Sequence, residues 1–182
     1  MLKKTVVLLY PNFSEYELTV ALSILMQGQK PTIIVGLNNG PIKGESGLTV
    51  LPDTTVDEVE FSEIDSLLLT GCMDITPVAE DHRYIAFIQK VAETAEVIAS
   101  ISSSPLLLAK AGVLKGKKYT VGLTEETINS SGVFETENYL QDLVVQDGHL
   151  ITARGRGFIT FGKLFGKALD LKFDERWYLE IF

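Results

Sequence analysis

An apolar run that stops at three serines and a proline restricts the possible folds of this chain more than any other stretch. Residues 97–101 read VIASI, residues 102–105 read SSSP, and an apolar run over residues 106–111 ends at Gly112. This order predicts a buried strand, a sharp polar turn and a helix. It is the layout of a nucleophile elbow, which raises one side chain above a sheet edge and points backbone N–H groups beside it. The raised residue is predicted to be Ser102.

Apolar and amphipathic segments alternate along the whole chain. Strands are predicted over residues 5–10, 32–37, 66–69, 97–101 and 118–121, with hairpins joining Ile42–Lys43 to residues 48–51 and residues 143–145 to residues 150–153. Helices are predicted from Ser14 to near Gly28 and over residues 81–93, 106–111 and 158–171, with a short helix plus loop over residues 124–138 and a last short helix over residues 173–182. This alternation predicts an α/β fold with a mostly parallel sheet and helices on both faces.

The first predicted helix carries a glutamate with two interpretations. Ser14 is a candidate N-cap, and Glu17 follows three residues later, which is the spacing of a capping box. Glu17 also lies just after the first strand, at the edge of a parallel sheet where ligands bind. The turn Thr70-Gly71-Cys72 and the Ser102 elbow are predicted to share that edge. The sequence therefore predicts that these three segments converge.

The composition excludes several classes of protein. A formal net charge of −8 argues against nucleic-acid binding, which needs clustered Lys and Arg. No apolar run approaches the ~18 residues that span a bilayer, so no membrane partner is expected. A single cysteine allows no internal disulfide, which is consistent with the cytoplasm. No phosphate-loop, dinucleotide or metal-ligand spacing occurs, so no cofactor and no metal are expected. Residues 1–182 are predicted to form a single domain.

Four segments, in order, resemble the ThiJ/PfpI family of the class I glutamine amidotransferase-like superfamily. They read VVLLYPNFSEYEL, LLLTGCMD, IASISSSPLLLAKAGVLKGKKYT and LITARGRG. The resemblance implies a flavodoxin-like three-layer sandwich, a homodimer and a small-molecule substrate or ligand. It also implies an elbow cysteine supported by a glutamate from the first helix. Family activities include glyoxalase or deglycase chemistry on reactive carbonyls, amide hydrolysis, isocyanide hydration, and chaperone or redox-sensing roles.

By position, the resemblance assigns Glu17 to the family glutamate and Ser102 to the elbow cysteine. The backbone N–H groups of Cys72 and Ser103 take the positions of the pair that stabilises an oxyanion. The chain departs from the pattern at several points: serine replaces the elbow cysteine, Gly122 stands where some members have a histidine, and Arg156 replaces a proline. His82 and His149 match no catalytic position of the family.

Each candidate site residue also has a structural interpretation. Ser102 is a nucleophile, or a polar residue that fills the elbow, and it needs a general base because a hydroxyl is not ionised by an elbow alone. Glu17 assists catalysis, or caps its helix. Cys72 is a nucleophile or redox sensor, or a small buried side chain. Gly71 and Arg154 are candidates for substrate binding, Arg154 because a guanidinium binds carboxylates and phosphates, although such an arginine also anchors loops or a dimer contact.

Three functions fit these residues. The first is a small-molecule-binding or accessory protein whose cysteine chemistry has been lost. The second is a hydrolase or carbonyl-processing enzyme that uses Ser102 or Cys72 with Glu17. The third is a structural or chaperone-like dimer without a working pocket.

Overall fold

Strands and helices alternate through residues 3–179, the part of the chain described by a computed structural model. The strands are β1 (Lys4–Leu8), β2 (Thr32–Gly36), β3 (Ile42–Lys43), β4 (Thr49–Val50), β5 (Thr54–Thr55), β6 (Ile64–Leu69), β7 (Val97–Ile101), β8 (Val144–Asp147) and β9 (Leu150–Ala153). The α-helices are α1 (Glu15–Gln27), α2 (Thr76–Glu80), α3 (His82–Ala92), α4 (Pro105–Lys110), α5 (Glu125–Ser131) and α6 (Phe158–Ala168). Short 3-10 turns occupy Phe61–Glu63, Thr136–Asn138, Gly155–Gly157 and Glu175–Tyr178.

One seven-stranded sheet organises the fold, in the order β5-β2-β1-β6-β7-β9-β8. Its neighbouring strands are parallel except β8 and β9, which form an antiparallel hairpin. On one face α1 packs against α6, and on the other α3 packs against β6 and α4. All of β6 is buried, as expected for a parallel strand that is covered on both faces. The predicted α/β, flavodoxin-like sandwich is confirmed.

The elements that position the site lie where the sequence predicts them. The chain turns from β7 into α4 at the three serines, and α1 ends at Gly28. β3 pairs antiparallel with β4, and Gly148 adopts the positive φ of 61° that the β8–β9 turn requires.

The predicted strand over residues 118–121 is wrong. β9 occupies the position beside β7, so this segment does not pair with β7. Side chains take its backbone N–H groups instead, since Lys118 N donates to Asp147 Oδ2 at 2.9 Å and Thr120 N donates to Thr152 Oγ1 at 2.9 Å. A single bridge between Tyr119 and Tyr139 is its only ladder contact in the described chain.

Smaller differences concern the chain end and two short elements. The predicted last helix over residues 173–182 is a 3-10 turn, Glu175–Tyr178, and residues 180–182 lie outside the described part. The sequence interpretation missed β5 and α2, which are two and five residues long. Among residues 3–179, no helix has the length and apolar character needed to cross a membrane.

Candidate functional site

Ser102 occupies a backbone conformation that L-residues rarely adopt. Its φ is 66°, in the left-handed region, which costs on the order of 1–3 kcal/mol and persists only where the surrounding structure imposes it. Two backbone hydrogen bonds impose it here: Ser102 N donates to Ala153 O at 2.7 Å, and Gly122 N donates to Ser102 O at 2.6 Å. The side chain is therefore held at the carboxyl end of β7, half-buried, as the elbow prediction requires.

Three glycines pack closely against Ser102 and Glu17. A Cβ at Gly71 would lie 2.7 Å from Ser102 Oγ and 2.8 Å from Glu17 Oε2. A Cβ at Gly122 would lie 3.0 Å from Ser102 Cα, and one at Gly155 would lie 2.7 Å from Glu17 Oε1. A side chain at Gly71 would collide with the Ser102 hydroxyl, one at Gly122 with the Ser102 backbone, and one at Gly155 with Glu17. Because Gly71 has no side chain, Ser102 and Glu17 can approach its backbone, and its N–H group donates to Glu17 Oε2.

Glu17 is buried against the turn that follows β6. Its Oε2 accepts from Gly71 N at 2.8 Å and from Thr70 Oγ1 at 3.3 Å, while the Ser102 hydroxyl lies beside it. Burial raises the pKa of the Glu17 carboxyl, and the hydrogen bonds from Ser102 and Gly71 oppose that rise. The predicted capping box is wrong, because the carboxylate is turned into the site and Ser14 Oγ donates to Glu45 Oε1 at 2.7 Å.

The two predicted oxyanion donors lie in neighbouring turns, Cys72 after β6 and Ser103 after β7. Cys72 N donates to Ser103 Oγ at 3.3 Å, which is a long hydrogen bond that a better acceptor can replace. Ser103 N has no acceptor among the side chains and backbone groups of residues 3–179. Both N–H groups are therefore available to an oxygen atom beside Ser102.

Cys72 is not poised as a nucleophile. Its thiol is half-buried, and burial, together with the negative charge of Asp74, raises its pKa to about 12. A hydrogen bond from the Asp74 backbone opposes this rise without cancelling it. A thiol with such a pKa carries very little of the reactive thiolate at neutral pH.

We expect Cys72 to react slowly with iodoacetamide in the folded protein. At pH 8 its thiolate fraction is roughly a thousandfold below that of a thiol with the ordinary value. Intact-mass kinetics of alkylation, with glutathione as the competing thiol, measures this directly. The same measurement in denaturant is the control, because unfolding restores the ordinary pKa. Equal rates in both states would contradict the expectation.

The remaining candidates lie outside the immediate surroundings of Ser102. Arg154 donates from Nη2 to the Tyr139 hydroxyl and from Nε to Thr120 Oγ1 at 3.4 Å, so its guanidinium holds two loops together at the end of β9. His82 is exposed at the start of α3, and His149 lies in the β8–β9 turn, where its carbonyl accepts from Ile98 near the amino end of β7. No imidazole therefore stands beside Ser102.

Tyr16 is a site residue that the sequence interpretation missed. Its hydroxyl donates to Glu17 Oε1 at 3.2 Å, and its ring packs edge-on against Phe158 with centroids 5.6 Å apart. Adjacent residues on a helix normally point in different directions, so no spacing rule signals this contact. Within residues 3–179, no group of three or more His, Cys, Asp or Glu side chains is arranged to hold a metal ion.

Comparisons with known proteins agree with this architecture. The model of the DJ-1/PfpI family matches residues 3–167. A deglycase from Thermococcus kodakarensis is 30% identical over 155 residues, which cover 85% of this chain and 91% of that protein. Protein dj-1beta from Drosophila melanogaster is 30% identical over 160 residues, 86% of this chain and 83% of its own. A DJ-1 superfamily protein from Agrobacterium tumefaciens, 20% identical, has the same fold, with a TM-score of 0.84 over 96% of this chain and 94% of the other.

Proposed function

The chain belongs to the DJ-1/PfpI family, and from this premise we propose that it is a carbonyl-processing enzyme in which Ser102 replaces the family's cysteine. The substrate class is a small α-oxoaldehyde such as methylglyoxal, and the product is the corresponding 2-hydroxy acid. The relatives named deglycases support this class of chemistry over a purely structural role. The observation that carries the proposal is the raised Ser102 hydroxyl beside a buried glutamate with an elevated pKa.

A serine is sufficient for this substrate because the aldehyde carbon is highly electrophilic. Ser102 Oγ adds to that carbon while the Glu17 carboxylate takes the hydroxyl proton. The backbone N–H groups of Cys72 and Ser103 then donate hydrogen bonds to the new oxyanion. A carboxylate is a weak base toward an alcohol, but a raised pKa brings it closer to the strength required near neutral pH.

The rest of the reaction is a hydrogen shift followed by hydrolysis. Glu17 gives the proton that it took from Ser102 to the oxyanion, which regenerates its carboxylate. Glu17 then removes the hydrogen of the former aldehyde carbon as a proton and returns it to the neighbouring carbon, which leaves a Ser102 ester of the 2-hydroxy acid. Water then cleaves the ester and regenerates the serine hydroxyl. The net change is the addition of one water to the oxoaldehyde, so neither an external oxidant nor a reductant is needed.

Conversion of methylglyoxal to lactate by the wild-type protein tests the proposal. We expect lactate to form at least about tenfold faster than in buffer containing an equal concentration of heat-denatured protein, in the absence of any thiol, because general acid–base catalysis alone contributes about 10²-fold. No lactate from the wild type, together with turnover by Ser102→Cys, would instead favour a binding protein that has lost its nucleophile. The homodimer, the cytoplasmic location and the substrate-binding role of Arg154 stay predictions.

A further inference from the structure

A cavity of about 530 Å³ opens beside the carboxyl ends of β1 and β2, and neither Ser102 nor Glu17 lines it. We name it the switch-point cavity. In the sheet, β1 lies between β2 on one side and β6 on the other, so the order in which strands are added reverses at β1. Open α/β sheets bind ligands at such a reversal of strand order. Its volume is in the range of small-molecule sites. It is lined by Pro11, Asn12, Leu37, Asn38, Pro41, Ile42, Lys43, Asp74, Pro77, Val78, Asp81 and Tyr84.

Tyr84 places a hydroxyl without a protein partner in this cavity. Its side chain is only 3% exposed and packs edge-on against Tyr10, with ring centroids 5.6 Å apart. Its hydroxyl forms no hydrogen bond within residues 3–179. Every fully buried polar side-chain atom in that range does have a hydrogen-bond partner, so the Tyr84 hydroxyl is not fully buried. The hydroxyl therefore reaches the surface of the cavity that Tyr84 lines, and it is available to a ligand.

Two charged residues that line the cavity, Lys43 and Asp74, belong to segments held against opposite sides of Asn12. Asn12 N donates to Lys43 O at 2.7 Å, and Met73 N donates to Asn12 O at 3.1 Å, so the backbone of Lys43 lies on one side of Asn12 and the segment Met73–Asp74 lies on the other. Neither Lys43 nor Asp74 forms an ion pair with the described part of the chain, and the only partner of the Asp74 carboxylate there is Thr76 N, which donates to Oδ1 at 3.0 Å.

The other lining groups complete an amphipathic site without a large net charge. The Asp81 carboxylate is already held by Arg83, whose Nη2 lies 2.7 Å from Asp81 Oδ2 and whose Nε lies 3.0 Å from Oδ1. Apolar side chains form the remaining wall, namely Pro11, Leu37, Pro41, Ile42, Pro77 and Val78. A cation, an anion and a phenol beside an apolar wall are the groups that recognise a zwitterion with an apolar body.

We propose that the switch-point cavity binds a free α-amino acid with a large apolar side chain. Asp74 accepts from the ammonium group, Lys43 and the Tyr84 hydroxyl donate to the carboxylate, and the side chain packs on the prolines and aliphatic residues. The site is separate from Ser102, and the proposal does not depend on the carbonyl chemistry.

Calorimetric titration with three matched compounds tests the recognition. L-phenylalanine carries both charges, phenethylamine lacks the carboxylate, and 3-phenylpropanoate lacks the ammonium. We expect saturable binding of L-phenylalanine that is about tenfold tighter than that of either analogue, because each analogue leaves one charged group of the site without a partner. Absence of saturable binding, or equal affinity for all three compounds, overturns the proposal.

Three variants of cavity residues test which groups bind the ligand, and a fourth variant outside the cavity is the matched control. Tyr84→Phe is expected to weaken L-phenylalanine binding about tenfold or more, as for the loss of one hydrogen bond to a charged group. Lys43→Gln should weaken L-phenylalanine but not phenethylamine, and Asp74→Asn should weaken L-phenylalanine but not 3-phenylpropanoate. Tyr178→Phe, which removes a hydroxyl bonded to Ser23 and Gln27, should change nothing. Binding that tolerates all three cavity variants refutes the assignment.

Discussion

Ser102→Ala is expected to abolish lactate formation from methylglyoxal, with kcat/KM falling by about 10³-fold or more, as for the loss of a covalent nucleophile. The fold should remain intact, because alanine carries the same Cβ in the same left-handed conformation and the two backbone hydrogen bonds of residue 102 do not involve the hydroxyl. Enzymatic measurement of lactate, with circular dichroism to verify folding, provides the comparison.

Two control variants test whether the loss of turnover is specific to the Ser102 hydroxyl. Ser130→Ala removes an exposed hydroxyl of α5 and should leave turnover unchanged. Ser102→Cys keeps a nucleophile at the same position, beside the same N–H groups of Cys72 and Ser103, so it should retain measurable turnover. Full activity of Ser102→Ala would show that another group performs the chemistry.

The convergence at the site follows from fold-level rules that the sequence already carries. Buried runs that end in polar turns place Glu17, Gly71 and Ser102 near one sheet edge, because parallel strands present their carboxyl ends together. The three serines before Pro105 identify the elbow, since proline at the first helical turn fixes where α4 begins. These are local signals, and the structure retains them.

The contacts within the site could not be predicted in the same way. The spacing of Ser14 and Glu17 is compatible both with a capping box and with a carboxylate turned into the sheet edge, and only the donor at Gly71 decides between them. Residues 118–121 have the composition of a strand, but β9 occupies the free edge of β7. Both outcomes depend on which of several distant segments pairs with a given group or strand. The hydrophobic periodicity of the sequence carries no information on such pairing.

Glu17→Gln is expected to lower turnover by about 10²- to 10⁴-fold, the usual contribution of general acid–base catalysis, and to stabilise the protein at neutral pH. Burial raises the pKa of Glu17 in the folded state above its ordinary value of 4.5. Between these two pKa values the folded protein holds a proton that the unfolded chain has released, so stability falls as the pH rises through this window. A glutamine is neutral at every pH, so it avoids the loss of stability that ionisation of the buried carboxyl causes.

The pH dependence separates this effect from a general change in packing. Denaturant unfolding of wild type and Glu17→Gln should give free energies of unfolding that differ at pH 7 and approach each other below pH 4.5, where the carboxyl is protonated in both states. Glu126→Gln, at an exposed position of α5, should show no such pattern. A constant difference at all pH values would mean that packing alone changed. Loss of activity with a gain in stability from one substitution would show that Glu17 is kept ionisable for chemistry, because the fold is better served by a neutral side chain.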